Sequence, residues 1–199
     1  MARELEFFFD FMSPPTYLAY TQLPGLIART GAKVIYRPMF TIGLHQLTGN
    51  RSPREVPNKA RWMGGDLQRW ARRYGVTLGA NSHIETLKII PPLRGAFVAN
   101  ERGETDAYMA AMFRGMFIED VNIGAPDSFA RLLGEAGLDP AAYAQGIERA
   151  DVKDALKAST QEAADRGAFG APTFFVAGEM FWGQDRLGFV EEALLEQAA

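Results

Sequence analysis

No cysteine occurs anywhere in the 199 residues. The chain can form neither a disulfide nor a thiolate nucleophile of its own, so any thiol chemistry must arrive with a ligand. Histidine is almost as scarce. His45 and His83 are the only two, in different segments, and neither has a histidine or carboxylate partner at i+4, so no metal site is expected. Basic residues are not in excess: 21 Lys and Arg against 24 Asp and Glu give a net charge of −3, and nucleic acid is not an expected partner. No apolar run approaches the roughly 18 residues a membrane span requires, and no basic n-region with an apolar stretch precedes the first strand-like segment. A soluble, cytoplasmic protein without a membrane partner is the expectation. A GxGxxG loop and a P-loop are both missing, since Gly64-Gly65 lies in a helical pattern without the required Lys-Ser. With 47% hydrophobic residues the chain is long enough to bury a sizeable core as one domain.

What the sequence does contain begins at its start. The apolar run Leu5 to Phe11 ends at Ser13, and Pro14 follows at once. Serine is a favoured helix N-cap, and proline suits the first helical position, where its missing N–H costs nothing. The pattern predicts a strand that delivers one hydroxyl to the positive end of a helix, a natural anion site. Ser13-Pro14-Pro15-Thr16 has the layout of the C-P-x-C turn of thioredoxin-like proteins, with oxygen in both sulfur positions.

A first strand is predicted over Arg3–Phe11. A helix whose stripe is Leu18, Leu23, Leu26 and Ile27 follows to Thr30, with a kink or break expected at Pro24-Gly25. A second strand over Lys33–Phe40 makes a βαβ unit. Residues 41 to 58 are polar and rich in Gly and Pro and are predicted to be a long loop. Helices are predicted over Lys59–Tyr74 and Asp106–Ile118, with others starting at Asp127 and Asp139 and a last one over Asp151–Asp165. No convincing strand appears between the second strand and Ala168. The pattern is that of a thioredoxin-like core, residues 1–45 and 168–199, with a helical insertion of about 55–167.

Gly170-Ala-Pro-Thr173 opens the second informative stretch. Thr173–Val176 and Met180–Trp182 have hairpin spacing, and Pro172 at the strand start is compatible with a cis bond. Asp185 is predicted to cap the final helix. This order of elements is that of the thioredoxin fold with a DsbA-style insertion. In that architecture the residue before the cis-proline faces the active-site turn and offers its backbone to a bound peptide.

The whole chain resembles the 2-hydroxychromene-2-carboxylate isomerase family, which groups with the kappa-class glutathione transferases among DsbA-like proteins. The resemblance is carried by Phe9-Asp-Phe-Met-Ser-Pro14, Gly49-Asn50, Lys59, Asp66-Leu-Gln-Arg-Trp70, Phe169-Gly-Ala-Pro-Thr-Phe-Phe175 and Met180-Phe-Trp-Gly-Gln-Asp-Arg186. It implies an α/β thioredoxin-like fold with a large inserted helical subdomain, glutathione as cofactor, an aromatic small-molecule substrate and a homodimer. It also implies that Ser13 faces the glutathione sulfur and favours its thiolate. Ala171 would pair with the cysteinyl part, and Gln184-Asp185, beside Trp182 and Gly183, would hold the γ-glutamyl end. Asn50 and Lys59 would lie near the peptide and the glycyl carboxylate. Arg54 and Asn81 fall near the family's substrate-contacting positions. The chain departs from the family at Pro15, where an aromatic or small residue is usual, and at Thr16, where serine is. Two other functions fit the same residues: a kappa-like transferase or peroxidase, and a non-catalytic peptide-binding module.

Overall fold

The computed structural model describes residues 3–196. Four strands form one mixed sheet in the order β2-β1-β3-β4. β1 (Glu4–Phe9) runs parallel to β2 (Lys33–Pro38), and β3 (Thr173–Val176) runs antiparallel to both β1 and β4 (Glu179–Trp182). Ala177 and Gly178, both at positive φ (50° and 89°), form the two-residue turn between β3 and β4. Such a primed turn matches the right-handed twist of paired strands. The fold is thioredoxin-like and of DsbA type, with seven α-helices between β2 and β3.

Period-two alternation sorts the aromatic run of β1 onto two faces. Leu5, Phe7 and Phe9 join Phe174 and Val176 of β3 under α1 (Pro14–Thr30) and α9 (Leu187–Glu196), in a core that continues into α4 (Ile90–Arg102) and α5 (Thr105–Phe117). Phe7 stacks on Phe174 at 5.1 Å in direct cross-strand register. Phe8 points the other way, toward Phe175, Met39, Leu44 and Ala163, beneath α2 (Thr41–Thr48) and α8 (Ala150–Asp165). There Arg166 lies 3.8 Å over the Phe175 ring and bonds Glu6 at 2.6 and 2.9 Å.

Two expectations are corrected here, and one helix appears where none is predicted. Residues 41–58 are not a long loop: they hold α2, a 3₁₀ turn (Pro53–Glu55) and the start of α3 (Pro57–Tyr74). α1 runs unbroken through Pro24. Pro24 and Gly25 are exposed, so water can satisfy the carbonyl that loses its donor, while buried Leu18, Leu23 and Leu26 hold both halves. α4 is not among the predicted helices; Pro91 and Pro92 sit in its first turn, where no N–H is needed.

Candidate active site

Ser13 is extended (φ −92°, ψ 111°) and caps α1: the Thr16 N–H donates to its Oγ at 3.2 Å. Its own hydroxyl donates to the Ala171 carbonyl at 3.0 Å, 158 residues away. The other donors at this helix start are also accounted for. Pro14 and Pro15 have none, the Ser13 N–H bonds the Asp10 carbonyl at 3.1 Å and Tyr17 N–H bonds the Ser13 carbonyl. The expected anion site at the α1 N-terminus is therefore narrower than an uncapped helix end. It offers the helix dipole and one hydroxyl, but no free backbone N–H. The Thr16 hydroxyl oxygen, one turn further on and buried, has no partner among the described residues.

Facing Ser13 is the cis Ala171–Pro172 bond. The loop before it is pinned by Asn50, whose Nδ2 donates to the Phe169 carbonyl at 2.6 Å, and by Thr173, whose hydroxyl donates to the Gly170 carbonyl at 2.7 Å. Gly183 N–H closes the other side onto the Pro172 carbonyl at 3.0 Å. The Ala171 N–H donates to no group among the described residues. A free N–H and a carbonyl shared with one hydroxyl are what an extended peptide needs in order to pair here. Trp182, nearly half exposed, packs on Phe169 at 4.9 Å. It comes so close to Gly170 that a Cβ there would lie 2.7 Å from the indole nitrogen.

Gly183 adopts φ 104°, ψ 151°, a conformation open almost only to glycine. It aims Gln184 inward, where the Gln184 carbonyl accepts from the Tyr74 hydroxyl at 2.8 Å. Burial, with the nearby Asp185 carboxylate adding to it, pushes that phenol up to about 12. Asp185 is not the cap of the last helix. It lies inside a 3₁₀ turn (Gln184–Arg186) whose N-cap is Gly183, and its carboxylate reaches Arg186 at 3.5 Å.

Ser13 thus bonds Ala171 directly, Gly183 with Gln184 after it bonds the neighbouring Pro172, Asn50 holds Phe169 two residues before Ala171, and Trp182 packs on that Phe169. Asn81 is elsewhere engaged: its Nδ2 donates to the Met116 and Val121 carbonyls at 3.0 and 2.9 Å, and its Oδ1 accepts from His83 N–H. Its amide is spent on holding a loop to the end of α5. Arg54 and Lys59 are exposed on the 3₁₀ turn and on α3.

Asp10 stands in the Phe9–Pro14 motif but is given no role by the sequence-based expectations, and it is central to the geometry. Fully buried, it accepts the Met12 N–H and the Thr41 N–H, each at 2.9 Å. α2 has Phe40 at its N-cap, without a side-chain bond, so the cap arrives from Asp10 across the sheet end. One carboxyl thereby ties the Ser13 turn to α2, which is followed directly by Gly49 and Asn50. Burial raises its pKa against the pull of the two N–H bonds and of His45. The readable signal is a lone carboxylate inside the run Phe7–Phe11, all of whose aromatics are buried.

Fold and site together define a thioredoxin-fold protein whose candidate active-site turn carries a hydroxyl and no thiol. The DSBA-like thioredoxin domain model matches residues 4–195. A 2-hydroxychromene-2-carboxylate isomerase of Sphingobium xenophagum is 31% identical over 198 residues, 98% of this chain and 100% of that protein. A solved 2-hydroxychromene-2-carboxylate isomerase superposes with a TM-score of 0.88 at 27% identity, covering 98% of this chain and 96% of that one. Human glutathione S-transferase kappa 1 is 25% identical over 99% of this chain and 93% of its own length. The chain belongs to the 2-hydroxychromene-2-carboxylate isomerase family, within the DsbA-like thioredoxin domains and alongside the kappa-class transferases. Its relatives are enzymes, and so is it.

Proposed function

We propose that the protein is a glutathione-dependent isomerase that interconverts 2-hydroxychromene-2-carboxylate and trans-o-hydroxybenzylidenepyruvate, or a closely related aromatic ketoacid. The observation that carries this reading is the pairing of the Ser13 hydroxyl, 3.0 Å from the Ala171 carbonyl, with an unpartnered Ala171 N–H beside a cis-proline, in a chain without cysteine. The donor set fits a tripeptide thiol: backbone for a peptide strand, a hydroxyl for sulfur, and Asp185 for an ammonium group. When bound, glutathione would supply a thiolate that adds reversibly to the conjugated alkene, permits rotation about the resulting single bond, and is eliminated unchanged.

The residues divide that work. Ala171 would offer its N–H and carbonyl to the cysteinyl backbone. A peptide N–H arriving at the Ala171 carbonyl competes with Ser13 for that acceptor and releases the hydroxyl proton to turn toward sulfur. Ser13 then acts as a donor that favours thiolate. It is not itself the nucleophile, since no base among the described residues touches its oxygen. Gln184 and Asp185, framed by Trp182 and Gly183, would hold the γ-glutamyl end. Asn50 and Lys59 would serve the glycyl end, and Arg54 the substrate carboxylate. The test is the ultraviolet conversion of 2-hydroxychromene-2-carboxylate by purified protein with and without glutathione. Conversion that requires glutathione is expected, and no conversion in either case refutes the assignment. The kappa-class relatives favour one other reading, a transferase or peroxidase. Faster turnover of chlorodinitrobenzene or cumene hydroperoxide than of the chromene would establish it.

A further inference from the structure

Segment 50–74 is tied to the candidate site at both ends, by the Asn50 bond to Phe169 and by the Tyr74 bond to Gln184. Its charge is unlike that of the rest of the chain. Residues 51–73 hold seven Lys and Arg against Glu55 and Asp66, a net +5 in a chain of −3, which leaves −8 on everything else. Elsewhere every arginine but Arg3, which bonds the Thr30 carbonyl, is matched with a carboxylate among the described residues, as in Arg29–Glu191, Arg149–Glu101 and Arg166–Glu6. Within the segment only Arg69 is, through Asp66 at 3.5 Å. Arg51, Arg54, Lys59, Arg61, Arg72 and Arg73 have no acidic partner within 4.0 Å among the described residues.

At the helical rotation per residue, Arg61, Arg72, Arg69, Arg73 and Lys59 of α3 fall within an arc of about 160°, opposite the buried Leu67 and Ala71. Trp62, 64% exposed, sits in the middle of that arc. Like charges three and four residues apart, as at Arg69, Arg72 and Arg73, oppose helix formation by about 0.2–0.5 kcal/mol per pair. The helix bears this repulsion on a strap whose ends touch the site residues. At low ionic strength its field extends about 30 Å, beyond the roughly 10–12 Å width of a helix, and at about 0.1 M it still extends about 10 Å.

We infer that the 51–73 face is the electrostatic entrance of the site, gathering organic anions, aromatic carboxylates above all, for the Ser13–Ala171 cleft. The inference rests on the proposed function for the identity of the final ligands and deepens it by assigning their capture. Steering of this kind raises association rates and is lost as salt rises. Trp62 adds an exposed ring on which an aromatic acid can stack among guanidinium groups.

The experiment is stopped-flow association of two probes, fluorescent 1-hydroxy-2-naphthoate and glutathione, from about 10 mM to about 0.5 M salt, a range over which the screening length shrinks several-fold. Three proteins are compared: the wild type, the triple variant Arg61→Gln, Arg72→Gln, Arg73→Gln, and the same positions changed to Lys. Wild-type association with naphthoate should fall about tenfold or more across that range. The Gln variant should be slower at low salt with a shallower slope, and the Lys variant should match the wild type. Circular dichroism checks that all three are folded. Equal rates and equal slopes in the wild type and the Gln variant would overturn the inference, as would an absence of naphthoate binding. Charge-dependent naphthoate capture without any glutathione binding would uphold the entrance and overturn the glutathione reading. Glutathione binding with no charge dependence for either probe would overturn the entrance alone.

Discussion

Replacing Asp10 probes how one buried carboxyl holds the site together. Asp10→Ala leaves the Met12 and Thr41 N–H groups without an acceptor at a fully buried position. Each orphaned donor costs about 1–3 kcal/mol, so a total loss of about 2–6 kcal/mol is expected, reduced where water reaches the gap. Asp10→Asn keeps one acceptor oxygen and turns an NH₂ toward the other donor, for about half that loss. The pH dependence distinguishes the two forms of the carboxyl. Its folded pKa is raised, so its contribution is fully present below the unfolded value near about 3.9 and is lost as pH rises through the folded pKa. Urea unfolding of the wild type and Asp10→Asn across acidic to neutral pH should therefore show the wild-type advantage shrinking as pH rises. An advantage that grows with pH would mean that the two N–H bonds and His45 outweigh burial, and would refute the reasoning.

Two further substitutions test the local geometry. Gly170→Ala places a methyl 2.7 Å from the Trp182 indole nitrogen. It should displace Trp182 from Phe169, change the tryptophan emission and weaken glutathione binding; unchanged emission would argue against the close approach. Asn81→Ala removes donors to two carbonyls and should lower stability by about 2 kcal/mol in denaturant titrations while leaving the KM for the aromatic substrate unchanged. A raised KM at unaltered stability would return Asn81 to the substrate site.

The parts of the site that local chemistry specifies are readable in the sequence. Ser13 before Pro14 announces its own cap, and Pro172 opens a short apolar strand whose two-residue turn sets the hairpin. What eludes a linear reading is chemistry delivered from a distance. α2 begins at Phe40-Thr41 with no local cap, because its cap comes from Asp10, 31 residues earlier. Asp185 satisfies the rule for an N-cap residue, yet Gly183 at φ 104° turns the chain one step sooner and places Asp185 within the 3₁₀ turn. Pro15 shows how a visible residue can carry a hidden consequence. It strips the α1 start of a second N–H and leaves the Ser13 hydroxyl as the donor there.

That hydroxyl is the central claim. Ser13→Ala removes the cap bond from Thr16 and the bond to Ala171, which should cost about 1–2 kcal/mol of stability without unfolding the chain. The direct measurement is the pKa of bound glutathione thiol, read from thiolate absorbance in the ultraviolet, in the wild type and in Ser13→Ala. A thiol pKa that rises in the variant is predicted, with affinity largely kept and activity near neutral pH down by about ten- to a thousandfold. An identical pKa and full activity in Ser13→Ala would leave Ser13 as a helix cap alone and contradict the account.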